Sequence, residues 1–340
     1  MKPFLVDIPV LILFFNRPQQ LGQVFDQVRK ARPSHLFLYQ DGPRSEKDMP
    51  GILACRDVVA QVDWDCQVET LYQERNYGCD PSEYISQTWA FSHVDKCVVL
   101  EDDDVPAVSF FRFCNEMLER YENDERITMI SGFNVEEQTT DAEGDYFFTT
   151  NFSIWGWASW RRVINQWDEH YTWLDNPTAV RQLEQLIRER RYRDDFLPMC
   201  RKHREQGKAF YETIFWSHML LSGGMAIVPT RNMINNLGAT ADSTHFGGSL
   251  QTMPRGYRRI FTMQRFEMPE DHTISHPSYV IEHVAYRHRA YRIMGWMNPM
   301  IKVGRSLEEL FLNLHYGNFR FILTAIRNRI NKWLGREAYR

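Results

Sequence analysis

The chain has 340 residues, 43% hydrophobic and 25% charged, with a formal net charge of -4. These counts suit an ordinary soluble protein of one large domain with additions or two domains, and they offer no overall attraction to nucleic acid. Six cysteines at 55, 66, 79, 97, 114 and 200 show no CxxC pairing, which argues against a zinc site or disulfide framework and for reduced thiols in a cytosolic protein.

The N-terminal MKPFLVDIPVLILFFNRP has one early lysine and a short apolar run broken by Asp7. Lacking a small-residue cleavage site, it predicts a buried strand over 10–15 and implies no secretion signal. From residue 9 the pattern alternates. Apolar PVLILFFNRP, HLFLYQDGPR, CQVETLYQE and KCVVLEDDDV are separated by helical QQLGQVFDQVRKA, DMPGILACRDVVAQV and SEYISQTWAFSHV. Such alternation predicts an α/β, doubly wound unit over 1–135, a mostly parallel sheet with helices on both faces. Ligands of such sheets bind beyond the carboxyl ends of the strands. The groups expected there are NRP (16–18), QDGPR (40–44), ERNYG (74–78) and EDDD (101–104).

The segment 136–285 is crowded with aromatics from 147 to 175, followed by a charged helix and by FYETIFWSHMLLSGGMAIVPTRNMINNLG, a helix then a strand. With no repeat and no low-complexity linker, it is expected to share one core with 1–135. The segment 286–340 differs: eleven Lys or Arg stand against three Glu, among many aromatic and Met residues.

Four consecutive acids at the end of an apolar strand repel one another, so the run is either solvated or holds a cation. It lacks the alternating acids and central glycine of an EF-hand, and Pro106 ends it before a helical carboxylate pair can form. No GxxxxGK[ST] loop and no GxGxxG follows the first strand. What remains is a strand-end site for Mg2+ or Mn2+ bridging a diphosphate.

At VVLEDDDVPAVSFFRFCNEML the chain resembles the GT-A fold glycosyltransferases, especially the animal enzymes that add GlcNAc to the mannose core of N-glycans and their bacterial relatives. The resemblance implies that Asp103 contacts the metal while Glu101 and Asp102 face the ribose and sugar; the extra Asp104 departs from the pattern. PVLILFFNRPQQL resembles the first strand of that family, implying Arg17 as a diphosphate contact. YQDGPR resembles its second strand end, implying that Asp41 reads a uracil. SIWGWASWRR resembles its acceptor-side turn, implying acceptor contacts from Trp155, Gly156 and Trp157, whose indoles suit the apolar faces of sugar rings. NMINNLGATADSTHF resembles the closing loop, with Asp242 near the nucleotide and His245 a metal ligand or phosphate contact. The five motifs fall in order across 8–250.

Inverting transfer requires a carboxylate near the acceptor hydroxyl. Asp168, Glu169, Asp194, Asp195 and Glu212 are in range; Glu212, ahead of an aromatic helix, best matches the family's acid, with Glu in place of Asp and Asp195 second. The expected activity is metal-dependent transfer from a nucleotide-sugar donor to a glycan or polyprenyl-linked glycan in bacterial surface polysaccharide synthesis. Rival readings are a sugar-nucleotide nucleotidyltransferase, which normally carries a Gly-rich basic loop after its first strand, and a non-catalytic sugar binder. In the tail, Phe319, Ile322, Ile326, Ile330 and Trp333 form one helical stripe, with Arg320, Arg327, Arg329 and Lys332 largely off it. Such a helix either packs on the core or lies on an anionic membrane surface, peripheral to the inner leaflet.

Overall fold

The computed structural model describes residues 1–239 and 250–333. Its opening part runs β1 (Val6–Phe14), α1 (Pro18–Ala31), β2 (Pro33–Gln40), α2 (Met49–Val59), β3 (Gln67–Tyr72), α3 (Cys79–His93) and β4 (Lys96–Glu101). Pro18 opens α1 where its missing N–H leaves no bond unmade, and Arg32, left-handed at φ 49°, closes it. The four strands pair in parallel in the order β3-β2-β1-β4. The chain thus steps outward from β1 to β3 and returns through α3 to the other side of β1. Right-handed crossovers then place α1 and α2 on one face and α3 on the other.

Next come β5 (Asp104–Pro106), α4 (Val108–Arg120), β6 (Ile127–Ser131), β7 (Tyr146–Thr149), β8 (Trp157–Trp160), α5 (Arg161–Ile164), α6 (Pro177–Leu186), α7 (Arg190–Gln206), α8 (Tyr211–Ser222), β9 (Met225–Pro229) and β10 (Ile234–Asn236). They complete an eight-stranded sheet of order β3-β2-β1-β4-β8-β6-β9-β7. β8 enters antiparallel between β4 and β6, so no division near residue 135 separates the sheet into halves. α4 buries Phe110, Phe111, Phe113, Cys114, Met117 and Leu118, and contacts α1, while α3 contacts α5 and α8. Its first turn is held by Glu267, whose carboxylate accepts the N–H groups of Val108 at 2.9 Å and Ser109 at 3.0 Å. That satisfies donors the helix cannot pair itself.

The chain ends in α9 (Arg255–Phe261), α10 (Val284–Met294), α11 (Pro299–His315) and α12 (Phe319–Trp333). The compositional change at 286 is not a structural boundary. Tyr286, Ala290 and Tyr291 of α10 are buried, because α10 covers β7 and an aromatic cluster of Tyr192, Trp216 and Trp296. The break comes with α11 and α12, a helical hairpin in which Asn313 is the single buried residue among those described. Among the described residues no helix is long and apolar enough to cross a membrane.

Candidate active site

The strand order reverses at β1, whose neighbours β2 and β4 lie on opposite sides, and such a reversal opens a crevice at the carboxyl ends. Leu13 of β1 is in register with Glu101 of β4, so the residues just beyond each strand meet there. Arg17 forks onto Asp102, with Nη2 on Oδ1 and Nε 3.3 Å from Oδ2. Its Nη1 lies 2.9 Å from Asp103 Oδ2. A cation does sit among the acids, and the chain itself supplies it. Asp104 points the other way: it accepts the Gly156 N–H at 2.9 Å and the Asn236 amide at 3.0 Å. Asn236 also donates to Asp103 at 3.3 Å.

One guanidinium for four acids leaves the cluster short of positive charge. Burial pushes the Asp102 carboxyl up to about 6; Arg17 opposes this and the charge of Asp103 reinforces it. Glu101 and Asp104 are driven well above the usual carboxylate range, first by burial and then by their acidic neighbours. Arg17 itself is held charged: although burial works against it, Asp102 and Asp103 raise its pKa further. These opposite senses are consistent, since both acids favour the one cation while each acid is disfavoured by the other.

The crevice continues into a cavity of about 550 Å³ walled by Phe15, Arg17, Asp41, Asn76, Glu83 and Asp102. Asp41 is on its wall, as expected, yet both its oxygens are engaged by the chain. They accept the N–H groups of Gly42, Tyr77 and Gly78 at 2.9, 2.9 and 3.0 Å and the Asn76 amide at 2.8 Å. Its carboxylate therefore holds the 76–78 loop against the cavity wall. Asp48 orients a second arginine, accepting from Asn16 at 2.9 Å and from Arg44 Nη2 at 2.7 Å. Arg44 lies 4.9 Å above the Phe15 ring at the cavity mouth. Arg44, Asn76 and Asn236 belong to motifs read from the sequence but were not singled out there. Glu83, buried in α3, carried no signal because its helix reads as ordinary; its carboxyl is raised by burial and then by the charge of Glu212.

Glu212 is an exposed residue in the first turn of α8 and lines a second cavity, of about 320 Å³, walled by Phe133, Phe152, Trp155, Trp216 and Trp296. The other carboxylates considered for the base also have partners. Asp195 pairs with Lys302 at 3.2 Å, Asp194 with Arg190 at 3.5 Å, and Asp168 accepts backbone N–H groups of His170 and Thr172. Glu169 lies beside Tyr84.

The Trp-Gly-Trp turn divides in function. Trp155 faces this cavity, with Phe133 and Phe261 rings 4.8 and 5.2 Å away. Trp157 does not contact an acceptor: it is 1% exposed, in the core between Phe91 and Phe215, because β8 is an interior strand buried along its whole length between β4 and β6. Gly156 is also buried, and its role is to link this turn to the acid run. Its φ is +61°, and a Cβ there would stand 2.5 Å from Ile234 Cδ1.

The acids fit a divalent cation by charge, since a buried excess of carboxylate is what such an ion relieves. Asp103 holds one bond on each carboxylate oxygen, from Arg17 and from Asn236. The described residues nevertheless contain no group of three His, Cys, Asp or Glu side chains able to hold a metal unaided. Substrate phosphates would have to complete the shell. His245 and Asp242 lie outside the described residues.

The fold and site define an α/β protein with a mixed eight-stranded sheet and an acid-and-arginine crevice at its reversal point. No family model and no curated protein matches the chain. Among solved structures it is similar to mouse xyloside xylosyltransferase 1 in its apo form, at 13% identity over 53% of this chain and 76% of that one, with a TM-score of 0.31. It is also similar to 4-diphosphocytidyl-2C-methyl-D-erythritol synthase from Anaerococcus prevotii, at 9% identity over 51% and 77%, with a TM-score of 0.28. Likenesses this low fix neither family nor activity.

Proposed function

We propose that the protein is an inverting glycosyltransferase that transfers a sugar from a nucleoside diphosphate donor, UDP-linked, to a glycan acceptor. The observation that carries this reading is the pairing of two cavities. One is a crevice where Arg17 lies between Asp102 and Asp103; the other is aromatic, with Glu212 at its wall. Arg17 and Arg44 attract the diphosphate, and Glu101 and Asp102 face the ribose and sugar. Trp155 and Trp216 offer faces for the acceptor ring. The acceptor oxygen forms its bond to the anomeric carbon as the bond to the diphosphate oxygen breaks. The proton passes to Glu212, and the electron pair leaves with the diphosphate. Mn2+ or Mg2+ held by Asp103 and the substrate phosphates would supply Lewis-acid neutralisation of the leaving group. A membrane-borne, polyprenyl-linked glycan of a bacterial surface polymer is the acceptor this reading favours.

The nucleotidyltransferase alternative needs a loop to wrap a triphosphate. Here β1 ends at Phe14 and α1 begins at Pro18, which leaves no room for one. A decayed sugar binder would have no use for an arginine-held acid run at a strand end. The test is a panel of UDP-sugars with Mn2+ or Mg2+, read by UDP release and by calorimetry of UDP binding. Metal-stimulated turnover of one donor is expected; absence of both UDP binding and turnover across the panel overturns the proposal.

A further inference from the structure

The hairpin of α11 and α12 departs from the packing rule obeyed elsewhere in the chain. On α11, Met300, Val303, Leu307, Leu310, Phe311 and Leu314 are exposed, Leu307 by 62% and Phe311 by 67%. On α12 the exposed set is Phe319, Leu323, Ile326 and Ile330, with Leu323 at 66%. Both sets recur every three or four residues, so each falls on one face of its helix. This corrects the stripe read from the sequence. Ile322 lines the groove against α11 with Phe321, Ala325 and Ile326, and Leu323 stands outside it. Trp333 has a side chain outside the described residues.

The charge beside these faces is mixed on α11 and of one sign on α12. α12 contains four Lys or Arg and no acid, and Arg320 and Arg327 are exposed beside its stripe. The acids of α11 both have protein neighbours. Glu308 accepts the Arg255 N–H at 3.2 Å, and Glu309 lines the groove towards α12. α11 is fastened to the body by polar contacts, Lys302 to Asp195 at 3.2 Å and Arg305 over the Tyr257 ring at 4.3 Å. From this base the hairpin exposes apolar side chains, several of them along the groove between its two helices. At its tip, Tyr316 and Phe319 are 52% and 59% exposed, aromatic residues of the kind that settle at a headgroup boundary.

We infer that the hairpin lies on an anionic phospholipid surface, its leucine and phenylalanine faces in the acyl boundary and its basic residues among the headgroups. The charge decides between a bilayer and a second copy of the chain. In a two-fold dimer the same patch meets itself, setting Arg320 and Arg327 against their own equivalents. Anionic lipid complements them instead. Trp296, on the wall of the aromatic cavity, precedes α11 by three residues, so this docking sets that cavity close to the membrane plane.

The test is co-sedimentation of the full chain with vesicles of phosphatidylglycerol in phosphatidylcholine, against phosphatidylcholine alone. Binding that requires phosphatidylglycerol and weakens with salt is expected. L307D/L323D should lower partitioning by about tenfold or more, and R320E/R327E should remove the preference for phosphatidylglycerol. Both variants should melt like the parent. Parent protein that ignores the anionic vesicles overturns the inference, as does a doubly substituted chain that still binds them. A dimer by sedimentation velocity that L307D/L323D makes monomeric, with vesicle binding unchanged, would assign the face to a second copy. UDP calorimetry on the same variants is expected to be unaffected, so this outcome is separable from the donor-site reading.

Discussion

The carboxyl end of β4 and the C-terminal hairpin place opposite classes of side chain in unexpected surroundings. At β4, Val98 and Leu100 are fully buried and the acids that follow are nearly so, Asp104 at 0% and Asp102 at 3% exposed. In α11 and α12 the apolar side chains face outward and the charges share the surface with them. Each arrangement costs free energy in the isolated chain: buried carboxylates lose hydration, and exposed leucines order water. The proposed occupants differ accordingly: a diphosphate with its cation for the first, an anionic lipid surface for the second.

Removing the internal cation from the buried end should have the largest effect. Arg17→Ala leaves Asp102 and Asp103 unpaired in a buried site, and breaking such a pair costs about 3–5 kcal/mol. A fall in the denaturant midpoint together with loss of UDP binding is expected, and an unchanged midpoint would show that water already reaches the acids. Asp103→Ala should be milder for the fold, because it removes one of several repelling charges, while abolishing any metal-stimulated turnover. Next in size, Glu212→Gln should keep donor binding and slow turnover by about 100- to 10,000-fold. Near-normal turnover would remove Glu212 from the role of base.

A smaller loss is expected from Gly156→Ala. A left-handed residue without glycine, pressed on Ile234, costs about 1–3 kcal/mol, read as a lower melting temperature. The pH dependence contrasts two carboxylates that each face an arginine. Asp102, raised to about 6, binds its proton more readily folded than unfolded, so its contribution favours folding at mildly acid pH and declines as pH rises through 6. Asp48 is lowered to about 2 chiefly by its bonds to Arg44, so its contribution is present above the unfolded carboxylate range and lost as pH falls through 2. The difference is which effect dominates: loss of hydration, reinforced by the charge of Asp103, at Asp102, and the bonds from Arg44 at Asp48. Chemical denaturation across pH 5 to 8 should show stability declining in the parent and less so in Asp102→Asn, a pH window set by the Asp102 shift. Smallest of all, Leu323→Asp should change stability by less than about 0.5 kcal/mol, since an exposed side chain has little packing to lose. A large destabilisation there would mean the hairpin is covered in the free protein.

Much of the first half was legible. Short apolar runs alternating with amphipathic ones admit few arrangements, and β1 to β4 formed where the pattern put them, with Arg17 and the acid run at one edge. The aromatic turn was legible only in part. Trp155 and Trp157 look alike in sequence, yet Trp155 stands before the left-handed Gly156 and faces a cavity, while Trp157 opens the fully buried strand β8. Asp41 was visible as a strand-end acid, but nothing local disclosed that Asn76, Tyr77 and Gly78 would engage both of its oxygens.

By itself the sequence determined the local preferences: where strands and helices form, that four acids stand together at a strand end, and that the last helix is basic. Tertiary structure alone decided which opposite charges met. The partner of Asp102 comes from a residue 85 positions earlier, and Asn236 reaches Asp103 across 133. It also decided that α10 is core while α11 and α12 are not, although the composition of all three is similar. Periodicity records that a helix has an apolar face; whether that face is covered depends on what the rest of the chain brings against it.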